Sequence, residues 1–177
     1  MTCLLDNPAY LNDTLQAILD EVCDCLENTT LGRPSECFIS HTMPPDDCCD
    51  FLAIWIEQLQ PTFSFPAVSD RVSKCNDIHR MAEVRLKLVR ACWPVVKDNA
   101  NAPFPTGAEM QAAAEALLID ANVMWCCVEQ TFGSETGVAC GDWDCLDVKL
   151  NSLTFDRPRG GCAGVSMSFM LELNGCC

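Results

Sequence analysis

The chain has 177 residues and a formal net charge of −14, from 25 acidic against 11 basic side chains. A chain of this length fits one domain that buries roughly 70% of its unfolded surface, so a core needs no metal or disulfide staple. The charge argues against a surface built to neutralise nucleic-acid phosphates, and no run approaches the roughly 20 apolar residues of a membrane span.

The first residues carry no basic region followed by an apolar core, so the expectation is a cytosolic product. Fifteen cysteines stand out. In a secreted chain they would suggest a disulfide framework. Here the number is odd, and the adjacent pairs Cys48-Cys49, Cys126-Cys127 and Cys176-Cys177 have poor geometry for bridges within a pair. Zinc favours spaced C-x-x-C pairs with histidines nearby, but the sequence has no C-x-x-C and its histidines are His41 and His79. Most cysteines are therefore expected to be reduced, small core hydrophobes, with a minority free to pair in an assembled particle outside the cell.

Residues 10–27 repeat apolar side chains at Leu11, Leu15, Ile18, Leu19, Val22 and Leu26, with acids elsewhere, which predicts an amphipathic helix stopped by Gly32 and Pro34. A short strand is expected at 36–40, then a proline-rich acidic loop over 41–47 with a mobile tip. The apolar run 51–56 reads as a strand buried on both faces. From Gln60 to Cys75 the prolines and serines suggest an extended connection, an arm of about 60–77 that crosses the sheet or reaches a neighbour. Residues 78–92 alternate, with Ala82, Val84, Leu86 and Leu88 inward and Glu83, Arg85 and Lys87 outward. Seven of the eleven basic residues fall between Arg71 and Lys97. They are either ordinary solvated charges or a basic flank that meets an acidic flank of another copy, as a head-to-tail ring requires.

Thr106 and Glu109 stand at capping-box spacing and open a long helix. Its stripe of Met110, Ala114, Leu117, Leu118, Ala121, Met124, Trp125 and Val128 is expected to lie on a sheet as core. The last stretch, 146–173, predicts a closing β-hairpin around a basic, glycine-rich turn over 156–164. Its second arm buries Val165, Met167, Phe169, Leu171 and Leu173. In the first arm the apolar parity switches between Leu150 and Leu153, which predicts a bulge near Asn151-Ser152.

The sequence carries no recognisable catalytic constellation. No G-x-S-x-G elbow is present, and Gly160-Gly161-Cys162-Ala163-Gly164 lacks the Lys-Ser/Thr of a phosphate loop and precedes a strand pattern. No local signature joins either histidine to a cysteine nucleophile. Adjacent acids such as Asp46-Asp47, or Asp142 and Asp144, are common in so acidic a chain. The expectation is a structural protein with no enzymatic activity, cofactor or metal.

The order of helix, strands, long helix and closing hairpin resembles the tail terminator proteins of long-tailed bacteriophages, especially those of actinobacteria. The likeness rests on Val89-Arg90-Ala91-Cys92-Trp93-Pro94, on the helix over 109–128, and on Gly160-Gly161-Cys162-Ala163-Gly164 leading into the last strand. It spans about residues 46–173, and the N-terminal helix is compatible with it. The resemblance implies a single α+β domain over 1–177, with helices on one face of a mainly antiparallel sheet. It also implies a hexameric ring in the virion neck, assembled in the host cytoplasm, that ends tail-tube growth and docks to the head-side connector. Its partners would be further copies, the tube protein and the connector or stopper protein. DNA would pass through the ring without specific binding, and no membrane is involved. Arg85, Lys87 and Arg90 are the expected subunit contacts, and Arg157 and Arg159 the expected contacts with an adjoining ring. Another neck or tail component, such as a head-closure or tube protein, is the alternative, with a cysteine-rich metal-binding module behind it. The cysteine load departs from the family pattern, since Cys92 and Cys162 account for little of it.

Overall fold

A computed structural model describes residues 9–44, 50–62, 64–68, 79–91, 105–133, 145–159 and 162–173. In chain order the elements are α1 (Ala9–Glu27), β1 (Glu36–Ile39), β2 (Phe51–Thr62), β3 (His79–Ala91), α2 (Gly107–Gly133), β4 (Cys145–Arg159) and β5 (Cys162–Leu173). The strands form one sheet in the order β1-β2-β3-β5-β4. Only β1 and β2 pair in parallel, so the fold is the expected α+β, mainly antiparallel one.

The apolar repeat of α1 works as its spacing predicts: Leu15, Ile18, Leu19, Val22, Cys23 and Leu26 are all buried. They share one core with Met124, Cys127 and Val128 of α2 and with the inward side chains of β2, β3 and β5. Burying each of these larger side chains contributes about 1.5–3 kcal/mol, which outweighs the modest helix propensity of the β-branched positions. After α1 the chain turns at Gly32, whose φ of 71° is a left-handed conformation that a side chain would resist. The start of α2 is the predicted capping box. The Thr106 amide donates to Glu109 Oε2 at 2.6 Å, and the Glu109 amide donates to Thr106 Oγ1 at 3.3 Å.

Strand parity divides the sheet into two faces. Ala82, Val84, Leu86 and Leu88 of β3 face the helices together with Val165, Met167, Phe169, Leu171 and Leu173 of β5, and all of them are buried. Phe51 through Trp55 of β2 are buried without interruption, as the apolar run implied. The β4–β5 register shifts between Leu150 and Ser152, the position of the expected bulge, and this keeps Leu150 and Leu153 both against the core.

Several expectations are corrected. β2 runs on to Thr62, through Pro61, so the first residues of the expected connection are sheet. Beyond them Ser64 bridges Ala67, and residues 63 and 69–77 of the proposed arm, like the tip of the 41–47 loop, lie outside the described residues. The strands run further into 156–164 than expected, because Asp156 pairs with Gly164 and Arg159 with Cys162. The α2 stripe is only partly core: Leu117, Ala121, Met124 and Val128 are buried, but Met110 and Leu118 are exposed and so is Ala114.

The expectation of mostly reduced cysteines fails at five described positions, while Cys3, Cys48, Cys49, Cys75, Cys92, Cys140, Cys176 and Cys177 lie outside the described residues. Cys23 is bonded to Cys37 and Cys25 to Cys127, and Cys162 is disulfide-bonded as well. The first two bridges tie α1 to β1 and to α2, and Cys126 is a free thiol. Among the described residues, bridges within adjacent pairs are not what forms. Cys23 and Cys25 instead reach partners 14 and 102 residues away, which local spacing does not reveal.

Candidate interaction surface

Of the five basic residues expected to meet partners, Arg90 is placed furthest from that role. It stands on the helix-facing side of β3 with its side chain 1% exposed, beside an Asp120 that is 0% exposed. Its Nε donates to Asp120 Oδ2 at 2.8 Å, its Nη1 to Asp50 Oδ1 at 2.8 Å and its Nη2 to the Gly32 carbonyl at 2.7 Å. One guanidinium thus joins β3, α2, the turn after α1 and the residue that opens β2. The fork of donors that makes arginine suited to planar acceptors explains why a lysine would not serve here. Asp50 has a φ of 68°, and its carboxylate also accepts the Ser35 amide at 3.0 Å, so the two partners hold this left-handed residue in place. Asp120 Oδ1 is buried without a hydrogen-bond partner.

Lys87 also departs from expectation. Its side chain is buried, with Nζ 3.8 Å from Asp156 Oδ2, across the sheet face opposite the helices. Asp156 in turn accepts from Ser166 Oγ at 3.0 Å. This carboxylate reaches over Gly164, where an added Cβ would come within 3.0 Å of both Asp156 Oδ2 and the Leu88 carbonyl. Gly164 is therefore set by close packing within the sheet. The outward reading of the basic stretch survives at Arg85, which is 41% exposed and paired with Glu83 at 3.0 Å. A weaker pairing with Glu57 stands at 3.8 Å. Both acids belong to the same sheet, so much of its charge is answered within the chain.

Arg157 and Arg159 lie in the last residues of β4, at the hairpin end of the sheet. The registers fix what adjoins them. Arg159 pairs with Cys162, Cys162 with Ala91, and Val89 with Phe51, so this end also carries the start of β2 and the finish of β3. The sheet-facing contacts of α2 begin at Leu117, which packs with Ala163, Val165 and Leu153 near that same end. None of residues 105–116 is buried. Ten residues of helix before the first buried one amount to about 15 Å of rise. That length carries the exposed Met110, and Leu118 and Ile119 follow it on the solvent side, with Phe155 of β4 exposed nearby in register with Val165. Sequence periodicity assigned this half of α2 to the core because a stripe continues whether or not a sheet lies beneath it. The signal that separates the halves is composition: Glu109, Gln111, Glu115 and many alanines precede Leu117, whereas large apolar residues follow it.

The described residues thus define an α+β sheet protein with a buried arginine node and one end that presents a hairpin and an uncovered stretch of helix. No protein-family model matches the chain, and no curated protein matches it. Among the described residues, no helix is long and apolar enough to cross a membrane.

Proposed function

We propose that the chain is a ring-forming structural subunit of a bacteriophage neck, ending the tail tube and docking it to the head-side connector. The observation that carries this reading is the placement of the hairpin tip with Arg157 and Arg159 at the sheet end from which α2 extends uncovered. A subunit that meets both its neighbours and an adjoining ring needs apolar surface for the first contact and directional charge for the second. The exposed Met110, Leu118, Ile119 and Phe155 supply the former, against further copies of this chain. The two arginines supply the latter in a chain of net charge −14. Exposed ion pairs at a rim contribute about 0–1 kcal/mol each, so sixfold repetition provides the avidity. A strongly acidic subunit also suits a channel through which DNA must slide without binding.

The double substitution Arg157→Ala and Arg159→Ala tests the docking half. Its expected outcome is tails that no longer join heads while the purified subunit keeps its fold. Head-joined particles with normal tail lengths would remove the hairpin tip from the mechanism.

A further inference from the structure

Glu21 and Cys25 are four residues apart on α1 and so lie on one face, one helical turn from each other. Cys127 of α2 meets that face from the adjoining helix. A Glu21 carboxylate oxygen and the sulfurs of Cys25 and Cys127 all lie within 4.8 Å of one another. Cys127 Sγ also stands 3.5 Å from the Glu21 carbonyl oxygen, a distance at which a thiol would donate an S–H···O bond. Burial grades across the group, from exposed Glu21 through half-buried Cys25 to buried Cys127. The set therefore opens to solvent on one side and is closed by protein on the other.

We infer that Glu21, Cys25 and Cys127 form a redox-gated site for a borderline-soft divalent cation of the zinc class. With the disulfide closed, both sulfurs are committed to each other and the site is shut. A thiol or phosphine reductant delivers two electrons, the S–S bond breaks, and two protons convert the sulfurs to thiols. Zinc then binds the two thiolates and the Glu21 carboxylate, releasing those two protons to solvent, with water at the open fourth position. The geometry requires little movement. Tetrahedral zinc with Zn–S bonds of about 2.3 Å holds its sulfurs about 3.8 Å apart, a separation that side-chain rotation can reach between two packed helices. Soft thiolates with one carboxylate select zinc over magnesium or calcium, which require all-oxygen shells. The Cys23–Cys37 bridge has no acidic companion in such a group among the described residues, so the inference applies to the α1–α2 bridge alone. It is independent of the proposed place in a virion.

The test is site-resolved alkylation of the full chain. After reduction with a phosphine, an alkylating reagent is applied with and without one equivalent of zinc, and each cysteine is followed by peptide mass spectrometry. Expected is about tenfold or greater slowing at Cys25 and Cys127, with neighbouring Cys126 alkylated at an unchanged rate. Glu21 is exposed, so Glu21→Gln keeps the fold, which circular dichroism verifies. Loss of a direct ligand matters at least as much as loss of a supporting group, so this variant should need at least about tenfold more zinc for the same protection. Equal rates with and without zinc, equal protection of Cys126, or unchanged protection in Glu21→Gln would each overturn the inference.

Discussion

Arg90 shows why a basic residue in an acidic chain cannot be assigned from its charge alone. It shares a strand face with Leu86 and Leu88, and its ion pairs replace the solvation lost on burial. Removing one partner of a buried pair costs far more than removing an exposed one. Arg90→Ala should therefore destabilise the fold by about 3–5 kcal/mol in chemical denaturation, by leaving Asp120 buried and unpaired. Arg85→Ala should change stability by no more than about 1 kcal/mol, because that pair stays partly in contact with solvent. Similar losses in the two variants would contradict the burial contrast. Glu109 makes a separate prediction through pH. Hydrogen bonds from the Thr106 backbone, and then from its hydroxyl, hold this carboxyl below its ordinary value of 4.5. On acidification the unfolded chain takes up the proton first, so the contribution is complete above the ordinary value and is lost as pH falls through the lower folded one. A Glu109→Gln variant should accordingly be less stable than wild type at neutral pH, and the gap should narrow below pH 4.5 in thermal melts.

At the scale of elements, the bridges make α1 a clamp. Cys23 fastens it to β1 and Cys25 to α2, over separations of 14 and 102 residues. Chain-entropy reasoning assigns about 3 kcal/mol to a loop near the shorter length and about 4.7 kcal/mol to one near the longer. Peptide mapping without reduction should recover both pairs, and a Cys23→Ser/Cys37→Ser variant should lose roughly 2–4 kcal/mol in urea. Recovery of Cys23 and Cys25 as thiols from carefully oxidised protein would refute the clamp. These elements were unevenly legible in the sequence. The period of α1, the capping box, the alternation in β3 and β5 and the bulge at Asn151-Ser152 are local patterns, and each stands in the fold. The bridges, the Arg90 node and the Glu21–Cys25–Cys127 group are products of long-range contact. Of these, only the four-residue step from Glu21 to Cys25 left a local trace. The exposed half of α2 escaped for a related reason: a helical stripe does not record where the sheet beneath it ends.

For the whole molecule, the sheet is one continuous layer whose second edge is the long strand β4, and α2 starts with a stretch, 107–116, of which no residue is buried. Apolar side chains left exposed on such a projection mark surfaces that associate. In the proposed ring they meet the next subunit, while the hairpin tip faces the adjoining ring. The revision at Lys87 and Arg90 narrows the expected basic contacts to Arg85 and the tip. It shifts the weight of the proposed self-association from charge to the exposed Met110, Leu118, Ile119 and Phe155. Cryo-electron microscopy of the assembled particle tests the central claim most directly, by locating this chain and counting its copies. The account predicts a single ring of six subunits at the head-proximal end of the tail. Repeated rings along the tube, or the absence of this chain from the particle, would contradict it.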